Sequence, residues 1–181
     1  MKQRILAVDD EVHMLKLLER IITEKTAYQI TTTNNSLEVP GILEKDRFDL
    51  VITDLKMPGM DGIDILRMIK EKGRPEEVII ITAFGSLETA IEALSRGVFD
   101  YITKPFKKEQ IIFTVDRAMR WQSLRRESAR MSEIFGREPY EKARRAFELE
   151  YVRLLAERCG GDTNKMSERA GLPLEFVDAA M

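Results

Sequence analysis

FDLVITDLKMPGMDG, residues 48–62, decides how the rest of the chain is read. Leu50, Val51 and Ile52 form a short apolar run without alternation, the pattern of a strand buried on both faces. The run leads to a carboxylate, Asp54, and the chain then enters a loop punctuated by Pro58, Gly59 and Gly62. Open parallel sheets bind ligands outside the carboxyl ends of their strands, so an acid at that point stands where chemistry is done. A single carboxylate there is weak support. The reading rests on what the flanking segments bring to the same edge.

Upstream, Ile5-Leu6-Ala7-Val8 is a second buried run, followed at once by Asp9, Asp10 and Glu11, and then by a helix with Leu15, Leu18 and Ile22 on one face. Tyr28 to Thr33 is strand-like, and Asn34-Asn35-Ser36 is a turn able to cap the next helix. Val39-Pro40-Gly41 interrupts that helix, which should be short or displaced. Downstream, a helix from about Ile63 to Lys72 turns Leu66 and Ile69 inward and stops at Gly73 and Pro75. Val78 to Thr82 is the most β-like run; Ala83-Phe84-Gly85 turns into a helix from Leu87 to Arg96, ended by Gly97. Tyr101-Ile102-Thr103 is a fifth strand, followed by Lys104-Pro105 and a helix from near Lys108 that uses Ile112, Val115 and Met119. Strands alternating with helices in this way predict an α/β fold, a doubly wound five-stranded parallel sheet covered on both faces.

The carboxyl ends of such a sheet bring Asp9, Asp10, Asp54, Thr82 and Lys104 around one point. Three carboxylates that close repel one another and invite a hard divalent cation with oxygen ligands, for which Mg²⁺ is the natural choice. Lys104 offers a point charge for a phosphoryl oxygen and the Thr82 hydroxyl a donor for another. Asp54 then has the place of a carboxylate nucleophile attacking phosphorus.

The VDDE that follows the first strand, the TDLKMPGMDG around Asp54, the ITAFG around Thr82 and the YITKPF around Lys104 resemble the response-regulator receiver domains of two-component signalling. The resemblance covers about residues 3–120 and implies the flavodoxin-like strand order 2-1-3-4-5. It implies that Asp54 accepts a phosphoryl group from the phosphohistidine of a sensor histidine kinase. It also implies that Asp10, Asp54 and the Lys56 backbone carbonyl ligate Mg²⁺, with Asp9 acting through water, and that Lys104-Pro105 is a cis peptide. Thr82 and Ala83 would bind the phosphoryl group, and Thr82 with Tyr101 would couple it to the face made by the fourth helix, fifth strand and fifth helix. The competing reading of Tyr101 is a core aromatic with its hydroxyl at the surface. Such a receiver catalyses only its own phosphotransfer and dephosphorylation. An aspartyl-nucleophile phosphatase uses similar groups, but places a second acid two residues after the nucleophile, where this chain has Lys56. His13 has no partner pattern and reads as a solvated helix residue.

Composition narrows the classes. The chain has 181 residues, enough for one domain and a smaller module. With one cysteine, Cys159, and one histidine, neither a disulfide framework nor a structural zinc site is available, and a cytoplasmic setting is expected. No apolar run reaches the length of a membrane span and Met-Lys-Gln-Arg-Ile does not open a signal peptide. Residues 1–120 carry 18 basic against 20 acidic side chains and residues 121–181 carry 11 against 11, so neither part has the balance of a dedicated nucleic-acid binder.

Residues 121–137 read as a helical linker. Trp121, Leu124, Ser128, Met131 and Phe135 recur at the 3, 4, 3, 4 spacing of a coiled-coil seam, flanked by Arg120, Arg125, Arg126 and Arg130, and favour a homodimer over a helix folded back on its own domain. Gly136 should break the helix, and Pro139 suits the first turn of the next. Residues 138–181 then read as a small all-α module of helix-turn-helix type. Tyr140 to Cys159 is amphipathic, with Tyr140, Ala143, Phe147, Tyr151, Leu154 and Leu155 on one side; Asp162 or Thr163 can cap a short helix through Ala170, and Pro173 starts a last one. LEYVRLLAERCGGDTNKMSERAGLP is similar to the Fis-type domain of nitrogen-regulator-class response regulators. Two departures matter. No ATPase domain stands between the two parts, so activation of sigma-54 by ATP hydrolysis is not expected. The expected recognition helix, Leu174 to Ala180, carries Glu175 and Asp178 and no base, and the chain stops before that helix is finished. Transcriptional output, with Lys165, Arg169 and the linker arginines on DNA phosphates, therefore stands beside a phospho-switched interaction module that does not bind DNA.

Overall fold

Asp54 reaches its place because the strand before it is threaded through the middle of a parallel sheet. The computed structural model describes residues 3–137 and 140–170, with side chains described for 3–130, 149 and 151–168. The strands are β1 (Arg4–Val8), β2 (Gln29–Thr33), β3 (Leu50–Thr53), β4 (Glu77–Thr82) and β5 (Asp100–Thr103). All neighbours pair in parallel in the order β2-β1-β3-β4-β5, as expected. The helices are α1 (Val12–Lys25), α2 (Val39–Lys45), α3 (Gly62–Glu71), α4 (Leu87–Ser95), α5 (Lys108–Arg137), α6 (Tyr140–Cys159) and α7 (Thr163–Ala170).

Side-chain alternation along the strands builds two cores. Ile5, Ala7, Leu50, Ile52, Ile79, Ile81 and Ile102 point to one face, where α1 lays down Leu15, Leu18 and Ile22 and α5 lays down Ile111, Val115, Ala118 and Met119. Leu6, Val8, Val51, Val78 and Ile80 point to the other, which α2, α3 and α4 cover through Leu43, Leu66, Ile69 and Ala93. Because both faces are covered, the strands read as continuous apolar runs rather than alternating ones.

The helix boundaries follow local chemistry. Pro40 sits in the first turn of α2, where its missing N–H costs nothing, and the helix is short as predicted. Asp61 and Asp64 form a reciprocal capping box at the start of α3, and Ser86 and Thr89 do the same for α4. Gly97 takes φ 80° just after α4. Gly136 does not break α5, which runs through it to Arg137; one glycine costs a helix only about 1 kcal/mol.

The chain divides into two compact units, Met1–Leu124 and Arg125–Met181. The described core of the second unit is Val152, Leu155 and Met166, with Ala156 and Cys159 against it. This corrects the predicted apolar side of α6: Tyr151 is 38% exposed, and Val152 turns inward in its place. The expected recognition helix, Leu174 to Ala180, lies outside the described residues, as does Pro139. Among the described residues no helix is long and apolar enough to cross a membrane.

Leu66 is fully buried whereas Leu87 is 77% exposed. Leu66→Ala is therefore expected to cost about 2–5 kcal/mol in urea unfolding, and Leu87→Ala no more than about 0.5 kcal/mol. Equal losses at both positions would contradict this placement of the core.

Candidate functional site

The site begins with the backbone at the end of β3. The Asp54 amide donates to the Val8 carbonyl at 2.9 Å, extending the β1–β3 ladder by one residue and setting the carboxylate beside the end of β1. Just behind it, the Gly62 amide donates to the Leu55 carbonyl at 2.9 Å, closing the loop of residues 55–62. The approach is so close that a Cβ on Gly62 would lie 2.4 Å from the Asp54 carbonyl oxygen. Glycine is required there for space. From the fifth strand, the Lys104 amide donates to the Thr82 carbonyl at 2.7 Å, and Lys104-Pro105 is the one cis peptide among the described residues.

These anchors bring three charged side chains together. The Lys104 ammonium lies 2.9 Å from Asp9 Oδ2 and 3.0 Å from Asp54 Oδ1, and the three side chains are 11%, 3% and 7% exposed. The remaining carboxylate oxygens are held by main chain: the Glu11 amide donates to Asp9 Oδ1 at 2.9 Å and the Lys56 amide to Asp54 Oδ2 at 2.8 Å. Burial pushes the Asp54 carboxyl above its ordinary value; the hydrogen bond and charge of Lys104 and the Lys56 amide pull it back, and the Asp9 charge pushes it up again. Burial also works against the Lys104 ammonium, but its hydrogen bonds to Asp9 and Asp54 and their charges outweigh it, so its pKa lies above the ordinary lysine value.

The other expected residues stand around this triad. Asp10, Lys56 and Ala83 are exposed at its rim. Thr82 is fully buried, and its hydroxyl oxygen accepts from the Phe84 amide at 3.0 Å, leaving its proton available to another acceptor. Tyr101 is half-buried, its ring beside Gly85 and its hydroxyl 3.1 Å from Thr89 Oγ1 on α4. The side-chain donors here are hard oxygens, and two buried carboxylates face one ammonium with Asp10 exposed next in the chain to Asp9, so the donor chemistry fits Mg²⁺. Among the described residues, however, no three acidic, His or Cys side chains are gathered as a metal-binding group. The buried carboxylates are spanned by Lys104 instead.

In the second unit, Lys165 is exposed on α7 and pairs with Asp162 at 3.2 Å. Asp162 also caps α7 by accepting from the Lys165 amide, which holds its carboxyl below the ordinary value. The Arg169 side chain lies outside those described. Sequence reasoning assigned no part in the site to Gly62 or Ser36. A glycine beside an aspartate reads as a turn, and Ser36 is bound to the 55–62 loop only by tertiary contacts.

A carboxyl raised by burial carries stability that is complete below its unfolded value and lost as pH rises through its folded value. In chelator at pH 7, Asp54→Asn is therefore expected to unfold at higher urea than the parent, with the gain fading toward the ordinary aspartate value. A lower midpoint at pH 7 would contradict the burial account.

The family model of the response regulator receiver domain matches residues 5–116. Response regulator protein PilR of Pseudomonas aeruginosa is 34% identical over 145 residues, 80% of this chain and 32% of that protein. Regulatory protein AtoC of Escherichia coli is 35% identical over 124 residues, 68% of this chain and 27% of that one. The chain thus spans about a third of the length of these curated relatives. Among solved structures, the signal receiver domain of a putative LuxO repressor protein from Vibrio parahaemolyticus superposes with a TM-score of 0.68 at 26% identity, over 71% of this chain and 98% of that one. The beryllofluoride-activated NtrC4 receiver domain dimer superposes at 0.62 with 31% identity, over 66% and 98%. With the sheet order, the Asp9–Lys104–Asp54 triad and the matched motifs all in agreement, the chain belongs to the response regulator receiver domain family.

Proposed function

We propose that Asp54 is the phosphoacceptor of this response regulator and that a sensor histidine kinase is its donor. The observation that carries the reading is an ion triad at the strand ends: the buried Asp54 carboxylate on the Lys104 ammonium, with a second buried carboxylate, Asp9, on the same lysine. In the transfer, an Asp54 carboxylate oxygen forms a bond to phosphorus. The P–N bond of the phosphohistidine breaks, and its electron pair stays with the imidazole nitrogen. Lys104, now 3.0 Å from Asp54 Oδ1, is placed to follow the charge onto a phosphoryl oxygen. The Thr82 hydroxyl is the next donor in line. Asp9, Asp10, Asp54 and the Lys56 carbonyl would hold Mg²⁺, which when bound supplies further stabilisation of charge on the phosphoryl oxygens.

The phosphoryl group adds roughly −1.5 to −2 charge to a buried site. Thr82 turning toward it draws on the Phe84 amide and so on the turn that opens α4. Tyr101 packs on that same turn at Gly85 and bonds Thr89 of α4, so a shift there is felt by both. Leu87, Ile91 and Leu94 give α4 an exposed apolar stripe, and Trp121 and Leu124 expose another on α5. These are the surfaces on which we expect a phosphate-controlled homodimer, a reading supported by the solved relative described as a receiver domain dimer. A cytoplasmic protein with transcriptional output is the favoured whole. The second reading, a protein-interaction output without DNA binding, is favoured by the acidic Glu175 and Asp178 and by the pairing of Lys165 with Asp162.

One experiment addresses both levels. The full chain is incubated with a labelled kinase or acetyl phosphate and Mg²⁺, then assayed on mixed duplex DNA across a salt series. Wild type is expected to take acid-stable, base-labile label that Asp54→Asn abolishes; equal labelling of the variant sinks the assignment. Tight DNA binding whose logarithm falls steeply with log salt supports transcriptional output. Salt-insensitive, weak binding with and without label supports the second reading.

A further inference from the structure

Ser36 opens a short 3₁₀ turn, Ser36–Glu38, after β2, and its side chain is almost wholly buried. Its hydroxyl does not cap that turn; Asn35 does, accepting from the Leu37 amide at 3.1 Å. The Ser36 hydroxyl instead reaches more than twenty residues along the chain. It donates to the Pro58 carbonyl at 2.7 Å and accepts from the Met60 amide at 2.9 Å. Gly59, between those two residues, has φ 87°, and a Cβ on it would lie 3.1 Å from the same hydroxyl and 2.8 Å from Leu37 Cγ. The tip of the 55–62 loop is therefore wrapped around one oxygen.

That loop has a second tie, to the reacting atoms. At its start the Lys56 amide holds Asp54 Oδ2, and at its base the Gly62 amide closes on the Leu55 carbonyl. Base and tip are fixed by different bonds, and both bonds of the Ser36 hydroxyl go to the tip. Removing the hydroxyl would take from the Pro58 carbonyl and the Met60 amide the one side chain that ties them together, and the loop tip would be free to shift. The Lys56 amide would move with it. Misplacement of a group that orients a nucleophile by about 1 Å is enough to slow a reaction by two orders of magnitude.

We propose that Ser36 is a positioning residue for phosphoryl transfer at Asp54, acting through the Pro58–Met60 turn on the Lys56 amide. The inference rests on Asp54 as phosphoacceptor. It does not require Ser36 to touch substrate.

The test uses the full chain, acetyl phosphate and Mg²⁺, and compares wild type with Ser36→Ala and Asn35→Ala. In the measured step an Asp54 oxygen bonds to phosphorus while the P–O bond to acetate breaks, and acetate leaves with the electron pair. Ser36→Ala is expected to lower the labelling rate at saturating donor by about tenfold, with the half-saturating donor concentration unchanged. Hydrogen exchange at the Met60 amide should quicken by about tenfold or more in the same variant without phosphodonor. Asn35→Ala, which loosens the turn but not the loop, should label at close to the wild-type rate. Two results overturn the inference while leaving Asp54 in place: wild-type labelling by Ser36→Ala, or equal slowing by both variants, which would mean only a generic loss of stability. A wild-type chain that takes no label overturns the Asp54 reading itself, and this inference with it.

Discussion

One ammonium group holds the site together. Asp9 and Asp54 come from the ends of adjacent strands, and the β1–β3 pairing allows them no distance from each other. Two buried carboxylates so placed repel, and each loses hydration, a cost of several kcal/mol per ion in protein interiors. Lys104 bridges them at 2.9 and 3.0 Å and offsets that cost with charge-assisted hydrogen bonds. The main-chain donors Glu11 and Lys56 occupy the outer oxygens, so neither carboxylate is free to turn toward solvent. The result is a nucleophile held in one orientation, at a potential that burial raises and lysine lowers.

The rest of the unit serves that arrangement. Parallel pairing aligns all five carboxyl ends on one side of the sheet, and the two cores keep the strands from sliding. Opposite that edge, Gln3 donates to the Met119 carbonyl at 3.0 Å and Gln122 to the Asp49 carbonyl at 3.1 Å, so α5 is held by side-chain amides where it leaves the sheet. The lower edge is fixed by buried polar bonds and the upper edge by an ion triad. Between them the layers are apolar. Motion is therefore cheapest in the loops at the upper edge, where Thr82, the Phe84–Gly85 turn and Tyr101 meet α4.

Much of this was legible in the residues, for a physical reason. Strands buried on both faces need unbroken apolar runs, and Ile5–Val8, Leu50–Ile52 and Val78–Ile81 supply them; the acids after the first two, Thr82 after the third and Lys104 after Tyr101–Thr103 had to share an edge once the strands were parallel. Pro40 foretold a short α2 for an equally local reason. What sequence could not supply was the set of contacts with no local sign. Nothing in Asn34-Asn35-Ser36 says that its hydroxyl will bind Pro58 and Met60. Gly62 reads as a turn residue, although the space beside the Asp54 carbonyl decides it. Gly136 misled because a single glycine costs a helix only about 1 kcal/mol and is a weak stop. On α6, Tyr151 and Val152 are neighbours, and the apolar side read through Phe147 and Leu154 took in Tyr151, although Val152 is the one that packs inward.

The most direct measurement is a carbon-detected NMR titration of the Asp54 side-chain carboxyl, in chelator, in wild type and in Lys104→Ala. The account places Asp54 above the ordinary aspartate value in wild type and higher still when the lysine is removed, because burial then acts with only the Lys56 amide to oppose it. An Asp54 that titrates at or below the ordinary value in wild type would contradict the burial account, and one indifferent to the loss of Lys104 would contradict the claim that this single ammonium offsets the cost of burial.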